Sequence, residues 1–359
     1  MKTKIAIACQ GGGSQTAFTA GVLKGLFEEG VHQDFDIVSF SRTSGGSICA
    51  ALAWYSLKKK DREPWRRIID FWDENTAQTP QELAFNKLVV ESLRAVSRGQ
   101  APQYNVSPAE PMMAAIFGAT TSAFRPHFTD LRALLEAHID FDEWQRWGAL
   151  DKGPALLIGA ADVLSGQLVK FSSRAMAIRA EHILASCAVP NIFPAVEFDG
   201  RAYWDGLFSD NPPVKELIRA IHVGAENMPQ ELWVIKINPT TCAKAPVLPE
   251  AIGDRRNQLV GNVSLFQSLD TVAFVNDLLG MGAFHPDFLK KFDVTGPVRI
   301  PRSYPGAEDR DYYIPFIEIS EELQVKLDYQ SKLDRSPENI GALMADGEKQ
   351  ARVFLKNRA

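Results

Sequence analysis

The chain has 359 residues, of which 45% are hydrophobic and 23% charged, and its formal net charge is −5. This balance is typical of a globular protein with a substantial buried core and excludes an intrinsically disordered chain. A negative net charge also disfavours a general nucleic-acid binder, which needs a broad basic surface.

The cysteines and the apolar runs indicate the compartment. The four cysteines are far apart and form no CxxC pair, which favours reduced thiols over a disulfide framework or a thiolate metal site. The apolar run 5–9 is too short for a signal peptide, and no run approaches the roughly 18 apolar residues of a membrane-spanning helix. We expect a cytoplasmic protein that contacts a membrane surface only from the side and transiently; no pattern predicts its oligomeric state.

The first sixty residues alternate between strand-like and helix-like segments. Residues 4–9 are apolar and strand-like, and glycines at 11–13 interrupt them. Helical spacing of apolar residues follows over 17–27, then a second apolar strand over 36–40 and a second, mostly apolar helix over 47–57. Strands and helices that alternate in this way predict a parallel sheet covered by helices on both faces.

Beyond residue 58 the pattern changes. From 58 to about 152, helical segments with a polar, proline-containing interruption between 100 and 111 predict an insertion over one edge of the sheet, and this insertion is a candidate lid. Strands are predicted at 155–160, 168–171, 232–237 and 314–319, a long helix at 255–279 and an amphipathic closing helix at 337–355. We expect a single domain over 1–359, with a helical extension from about 245 to 359 packed on it.

A serine stands at the turn between the second strand and the second helix. Ser44 lies in the run RTSGG at 42–46. A serine on a sharp strand-to-helix turn is exposed for nucleophilic attack, and the helix N-terminus favours the oxyanion that forms. The GxSxG pattern of such turns has glycine where Arg42 stands, so an ordinary helix N-cap is the alternative interpretation of Ser44. Ser47, inside the helix, is a weaker rival nucleophile.

The first strand ends in another glycine-bearing turn, Gly11, Gly12 and Gly13. Consecutive glycines before a helix expose backbone N–H groups that can hold a phosphate or a developing oxyanion. The phosphate-loop pattern lacks its GKS or GKT ending here, and the dinucleotide pattern lacks its third glycine because Thr16 stands there. Two glycine turns after consecutive strands fit an oxyanion hole beside a nucleophile better than they fit a nucleotide site.

A carboxylate lies among aromatic and apolar residues in the run YWDGLFSDNPP at 203–213. Such neighbours desolvate Asp205, and desolvation raises a carboxyl pKa toward values that suit a general base. A turn aspartate, which the following Gly206 favours, is the alternative. The six histidines have no metal-binding spacing and none is marked as special, but a triad joined only by the fold stays open.

Together these segments resemble the patatin-like phospholipases, a family that uses serine and aspartate without histidine. Thr43, Ser44, Gly45 and Gly46 match the nucleophile motif of the family, which has glycine in place of Arg42. The resemblance implies that Ser44 is the nucleophile of a serine acyl hydrolase acting on lipid acyl esters.

The other two motifs of the family are also present with departures. The loop at 11–13 is similar to the oxyanion loop GGGxRG, with Gln15 in place of arginine and Thr16 in place of glycine. Asp205 and Gly206 match the aspartate motif, whose third position holds Leu207 instead of glycine or alanine. The resemblance implies that Asp205 is the base, that the glycine loop forms the oxyanion hole, and that no metal or cofactor is required.

The resemblance extends over most of the chain and is weakest between 58 and 124. Segments at 185–194, 211–212 and 254–265 and the closing helix are similar to their counterparts in the family. It implies a three-layer α/β fold, with a mostly parallel central sheet, helices on both faces and a helical insertion.

Arg42 leaves three interpretations open. Its side chain reaches solvent beside the pocket and contacts an anion such as a phosphate head group or fatty carboxylate, or it lies between strand and helix and distorts the turn, or the chain is an inactive relative that binds lipid or protein without cleaving it. A nucleotide-binding protein is a further alternative. Basic residues among the aromatic ones at 54–67 indicate either a membrane contact or, as we favour, a solvated helix end.

Overall fold

The computed structural model describes residues 2–102, 110–150, 152–190 and 192–358. Within these ranges the strands are β1 (Lys4–Cys9), β2 (Asp36–Arg42), β3 (Ala155–Asp162), β4 (Leu168–Ser172), β5 (Val196–Phe198), β6 (Arg201–Asp205), β7 (Glu231–Lys236), β8 (Ile300–Pro301), β9 (Tyr313–Ile314) and β10 (Ile317–Glu318).

The α-helices in the same ranges are α1 (Ala17–Glu28), α2 (Val31–Asp34), α3 (Gly45–Lys59), α4 (Arg66–Asn75), α5 (Pro80–Ser97), α6 (Pro111–Thr121), α7 (Pro126–Thr129), α8 (Leu131–His138), α9 (Phe141–Trp147), α10 (Ala180–Ser186), α11 (Ala220–Val223), α12 (Pro249–Gly280), α13 (Pro286–Lys291), α14 (Glu321–Gln324) and α15 (Pro337–Asn357). Short 3₁₀ helices lie at Gly13–Thr16, Gly206–Phe208, Lys215–Ile218, Ala225–Asn227 and Gln330–Leu333.

The central sheet has the strand order β10-β7-β1-β2-β3-β6-β5, with β4 also paired to β3. The pairs from β10 through β7, β1 and β2 to β3 are parallel. The pairs of β3 with β4 and β6, and of β5 with β6, are antiparallel. The predicted α/β fold with a mostly parallel central sheet is therefore confirmed.

Alternate residues of the central strand β1 face two separate apolar cores. Ile5, Ile7 and Cys9 pack in the core that α1, α3, α4 and α15 cover. Ala6 and Ala8 pack in the core under α12 on the opposite side of the sheet. Because both faces of the sheet are covered, β1 and β3 consist almost entirely of apolar residues, whereas β2 also contains buried serines.

The closing helix α15 packs directly against α1 through two glycines. A Cβ atom at Gly347 would lie 2.2 Å from the carbonyl oxygen of Phe18, and one at Gly21 would lie 2.0 Å from that of Met344. Any side chain at either position would force the two helices apart. The C-terminal helix is therefore part of the same core as the first helix.

Most predicted elements are confirmed, with differences near the end of the chain and around Asp205. The predicted strand at 314–319 is two short strands, β9 and β10, separated by Pro315, which has no N–H group for a sheet ladder. The β5–β6 hairpin was not predicted. Its turn is Asp199-Gly200, with φ of 52° and 73°, and such a dipeptide between β-like segments is a recognised hairpin signal.

Helices α4 to α9 occupy the region that the sequence predicts to be an insertion. The polar interruption predicted between 100 and 111 lies largely outside the described residues. In α6, which falls on the apolar stretch of the candidate lid, the side chains of Met112 and Ile116 are exposed. Among the described residues, none of the helices is both long and apolar enough to cross a membrane.

The aromatic residues at 54–67 pack inward rather than toward a surface. Trp54 is buried, stacks on Trp144 with 5.1 Å between ring centroids, and donates a hydrogen bond to the carbonyl oxygen of Pro154. Lys59 pairs with Glu143 at 2.8 Å. This packing agrees with the favoured interpretation, in which the basic residues are the solvated end of a helix.

Candidate active site

Ser44 lies at the turn where β2 ends and α3 begins, and its backbone is strained. Its φ is 53° and its ψ is −136°, a left-handed conformation that costs energy for a residue with a Cβ atom. Ser44 occupies the N-cap position of α3, but its side chain makes no capping hydrogen bond. The alternative interpretation of Ser44 as an ordinary N-cap requires the hydroxyl to bond the first turn of α3, and the hydroxyl does not do so.

Two neighbouring segments hold this turn in place. The Ser44 N–H donates to Ser186 Oγ at 3.1 Å, and Thr43 Oγ1 donates to the carbonyl oxygen of Asp210 at 2.6 Å. Ser186 ends α10, and Asp210 follows the aspartate motif. The strained turn is thus fixed by the parts of the chain that also position Asp205.

The first glycine turn, residues 11–13, lies directly against the serine turn. A Cβ atom at Gly11 would lie 2.6 Å from the Cβ of Ser44, and one at Gly46 would lie 2.7 Å from the carbonyl oxygen of Cys9. Only glycine permits this approach of the two backbones. The structure therefore brings together the two glycine turns that the sequence places at the ends of consecutive strands.

The three glycines differ in their hydrogen bonds. The Gly11 N–H donates to Asn211 Oδ1 at 2.7 Å, so this amide is already occupied. The N–H groups of Gly12 and Gly13 have no hydrogen-bond partner within the described residues. A role in an oxyanion hole fits the amides of Gly12 and Gly13, and it does not fit that of Gly11.

The two departures in this loop have structural roles. Thr16 Oγ1 donates to the carbonyl oxygen of Gly13 at 2.6 Å and closes the loop. Gln15 Nε2 donates to Ser331 Oγ at 2.8 Å and to the carbonyl oxygen of Asp328 at 3.2 Å. Gln15 therefore ties the loop to the C-terminal region.

Asp205 ends β6 and is fully buried. Oδ1 accepts the Leu207 N–H at 2.7 Å, whereas Oδ2 has no hydrogen-bond partner among the described residues. Burial raises the pKa of Asp205 to about 7, against the opposing effects of the Leu207 N–H and the Ser44 hydroxyl. Ser44 is thus close enough to affect the pKa of Asp205, but no hydrogen bond of regular geometry joins the two side chains.

Gly206 lets the aspartate motif pack against the serine turn. A Cβ atom there would lie 2.4 Å from the carbonyl oxygen of Gly159 and 2.9 Å from Cγ2 of Thr43. Leu207 contributes its N–H to Asp205, and its side chain is only partly buried. Because the contact uses the backbone, leucine in the third position of the motif leaves it intact.

Arg42 is fully buried, in contrast to the interpretation that places it in solvent. Its Nε, Nη1 and Nη2 atoms have no hydrogen-bond partner among the described residues. Burial lowers the pKa of Arg42 to about 9. The titratable groups nearest to it are the thiols of Cys9, Cys187 and Cys49, which are uncharged at neutral pH because burial raises their pKa values. The side chain lies between sheet and helices, so a contact with a solvent-borne anion does not fit this placement.

Histidines lie elsewhere. Among the described residues, no hydrogen bond joins a histidine to Ser44 or Asp205, and no group of three or more His, Cys, Asp or Glu side chains could hold a metal ion. His182 stacks on Phe171 and accepts the N–H of Arg179, and burial lowers its pKa to about 4. A histidine triad therefore has no support in this geometry.

The sequence did not assign roles to Ser186, Gln10 and Asn211. Gln10 and Asn211 are buried polar residues beside glycine or proline turns, a context in which a side-chain amide usually binds the backbone. That signal marks them as structurally engaged, but their partners depend on the fold.

A family model described as patatin-like phospholipase matches residues 7–218, more than half of the chain. The chain belongs to the patatin-like phospholipase family. The match includes all three motifs of the site, which supports a lipid acyl hydrolase as the family activity. No curated protein sequence matches this patatin-like chain.

Two solved structures are similar to the patatin-like chain. VipD from Legionella pneumophila is 14% identical with a TM-score of 0.40, and the match covers 98% of this chain and 67% of VipD. ExoU from Pseudomonas aeruginosa, solved in a heterodimeric complex with SpcU, is 17% identical with a TM-score of 0.28, and the match covers 82% of this chain and 58% of ExoU. The patatin-like chain thus corresponds to about two thirds of VipD and to little more than half of ExoU.

Proposed function

We propose that this protein is a serine acyl hydrolase that cleaves acyl esters of lipids, with Ser44 as nucleophile and Asp205 as base. The observation that carries the proposal is the fully buried Oδ2 of Asp205, which has no hydrogen-bond partner among the described residues, together with the Ser44 side chain, which does not cap α3. A buried polar atom without a partner is costly, and such atoms are retained where chemistry needs them.

The pKa of Asp205, raised to about 7, suits this role. A carboxylate of ordinary pKa is a weak base toward a serine hydroxyl, whereas desolvation makes it a stronger one that is still ionised in an appreciable fraction at neutral pH. Asp205 Oδ2 accepts the Ser44 proton as the serine oxygen forms its bond to the ester carbonyl carbon.

The resulting oxyanion accepts hydrogen bonds from the amides of Gly12 and Gly13 and is favoured by the N-terminus of α3. As the ester bond breaks, the leaving alkoxide takes the proton from Asp205. Water then attacks the acyl-enzyme, gives its proton to Asp205, and releases the fatty acid while the proton returns to Ser44. Asp205 is thus the base in both half-reactions.

The test combines hydrolysis of a p-nitrophenyl acyl ester with labelling by a fluorophosphonate, which requires an activated serine. Ser44→Ala should abolish both readouts, and Asp205→Asn should lower both at least about 10³-fold. Ser47→Ala is the matched control, because Ser47 is a buried serine one turn along α3 and should keep both. Labelling that persists in Ser44→Ala, or full activity in Asp205→Asn, would reject the pair.

Arg42 favours a second candidate, a patatin-fold protein that binds lipid or protein without cleaving it. A buried guanidinium, for which the described residues provide no hydrogen-bond partner, stands two residues before the proposed nucleophile, where the family has glycine. The same labelling experiment separates the two functions, since a binder retains affinity for lipid vesicles while Ser44 stays unlabelled.

For the hydrolase, we propose a lipid ester as the substrate and a transient contact with a membrane surface as the way in which the protein reaches it.

A further inference from the structure

Asn211 lies beyond the aspartate motif and is almost completely buried, with 1% of its surface exposed. Its Oδ1 accepts the Gly11 N–H at 2.7 Å, and its Nδ2 lies 3.5 Å from the carbonyl oxygen of the same glycine. The side-chain amide thus contacts both polar groups of one backbone residue, as a neighbouring strand would.

The position of Asn211 is itself fixed. Its backbone N–H donates to Ser264 Oγ at 2.9 Å, and its carbonyl oxygen accepts from Gln10 Nε2 at 3.4 Å. Gln10 in turn joins further segments, because its Oε1 accepts the N–H groups of Ile237 and Asn238 and its Nε2 donates to the carbonyl oxygen of Gly261 and to Asn262 Oδ1. The anchor of the glycine loop is therefore held by β1, the end of β7 and α12.

A loop of three glycines needs such an anchor. Glycine loses more conformational freedom on ordering than any other residue, so an untethered Gly11 would let the next two amides rotate. Oxyanion donors are effective when they are oriented before the reaction begins. The amides of Gly12 and Gly13 follow directly after the peptide unit that Asn211 holds.

We propose that Asn211 is a positioning residue that binds Gly11 and thereby orients the amides of Gly12 and Gly13 as the oxyanion donors. The proposal rests on the hydrolase function proposed above. It assigns to Asn211 an effect on the transition state and not on substrate affinity, because the residue contacts the loop and not the substrate.

The experiment compares Asn211→Leu and Asn211→Asp with a matched pair at Asn276. Asn276 is equally buried, and its amide also contacts both polar groups of one backbone residue, Val298, at 2.8 Å and 2.9 Å. Asn276→Leu and Asn276→Asp therefore report the effect of losing the same kind of contact away from the site.

We expect Asn211→Leu to lower kcat about 100-fold with KM changed less than about threefold, since small misplacements of catalytic donors have effects of this size. Asn211→Asp keeps an acceptor for the Gly11 N–H and should recover about tenfold of that loss. The Asn276 variants should keep the wild-type kcat. A kcat for Asn211→Leu that matches Asn276→Leu would overturn the proposal.

Hydrogen exchange of the peptide that contains residues 11–15 provides a readout independent of hydrolysis. Asn211→Leu should accelerate exchange of these amides about tenfold relative to both wild type and Asn276→Leu, because the loop opens more often. Unchanged exchange would refute the anchoring role, even if the wild-type protein hydrolyses no ester. Should Asn211→Leu fail to fold, Asn211→Asp takes its place in both measurements, with slower kcat and faster exchange expected relative to wild type.

Discussion

Two groups of buried polar side chains around Ser44 differ in how completely their hydrogen bonds are satisfied. In one group, the amides of Gln10 and Asn211 form hydrogen bonds in several directions. In the other, the guanidinium of Arg42 and Oδ2 of Asp205 are buried and have no hydrogen-bond partner in the part of the chain that the structure describes. The side chains beside the glycine loop are therefore hydrogen-bonded, whereas two ionisable groups near the serine turn lack this compensation for their burial.

The two costly groups are not equivalent. The unpaired oxygen of Asp205 has a chemical use, because it is free to accept a proton from Ser44. Arg42 has no such use in this geometry, since its titratable neighbours are three buried, uncharged thiols on the core side of the sheet. Uncharged replacements of Asp205 and Arg42 should therefore stabilise the protein, whereas loss of the hydrogen-bonded amide of Gln10 should destabilise it.

The largest expected effect on stability is at Asp205, whose buried Oδ2 has no hydrogen-bond partner among the described residues. Its folded-state pKa of about 7 exceeds the ordinary value of 3.8, so stability falls as pH rises between these two values and stays low above them. Asp205→Asn should therefore be more stable than wild type at pH 8, by up to about 4 kcal/mol, and similar to it near pH 4.

Chemical denaturation at both pH values measures this difference. Asp162→Asn is the control, because hydrogen bonds from Ser165 lower the pKa of Asp162 and that variant should lose stability at pH 8. An Asp205→Asn variant that is less stable than wild type at pH 8 would show that the buried carboxylate is satisfied after all.

A smaller effect on stability is expected at Gln10, whose buried side-chain amide is hydrogen-bonded in several directions. Gln10→Leu leaves the N–H groups of Ile237 and Asn238 without their acceptor, and unsatisfied buried groups cost about 1–3 kcal/mol each. We expect a loss of about 3 kcal/mol in the free energy of unfolding, measured by urea denaturation. Gln33→Leu, at an exposed glutamine, should stay within about 0.5 kcal/mol of wild type.

The smallest expected effect on stability is at Arg42. Arg42→Met removes an unpaired buried charge at similar length and should stabilise the protein by about 2 kcal/mol, because apolar replacements of buried charges are commonly neutral or stabilising. Lys236 is the matched cation, buried but bonded to the carbonyl oxygen of Asn238, to Thr240 Oγ1 and to Glu318. Lys236→Met should lower the thermal midpoint, and equal shifts in both variants would contradict the comparison.

Local patterns in the sequence were sufficient for the framework of the site. The apolar run of β1, the glycines at 11–13 and the turn at Ser44 are short-range features, and a strand, a glycine turn and a helix form from neighbouring residues. The β5–β6 hairpin escaped prediction because its strands are short, although Asp199-Gly200 carried a signal for its turn.

The tertiary structure alone decided which polar groups are satisfied. The burial of Arg42 and the contact between Asn211 and Gly11 each depend on residues far apart in the chain. The raised pKa of Asp205, in contrast, was predicted from its aromatic and apolar neighbours in the sequence, and its direction is confirmed. The hydrogen-bond partners of a buried group depend on all the atoms around it, and no local pattern contains them. The sequence by itself determined the turns that carry Ser44 and the glycine amides, and packing determined the charge and orientation of the groups around them.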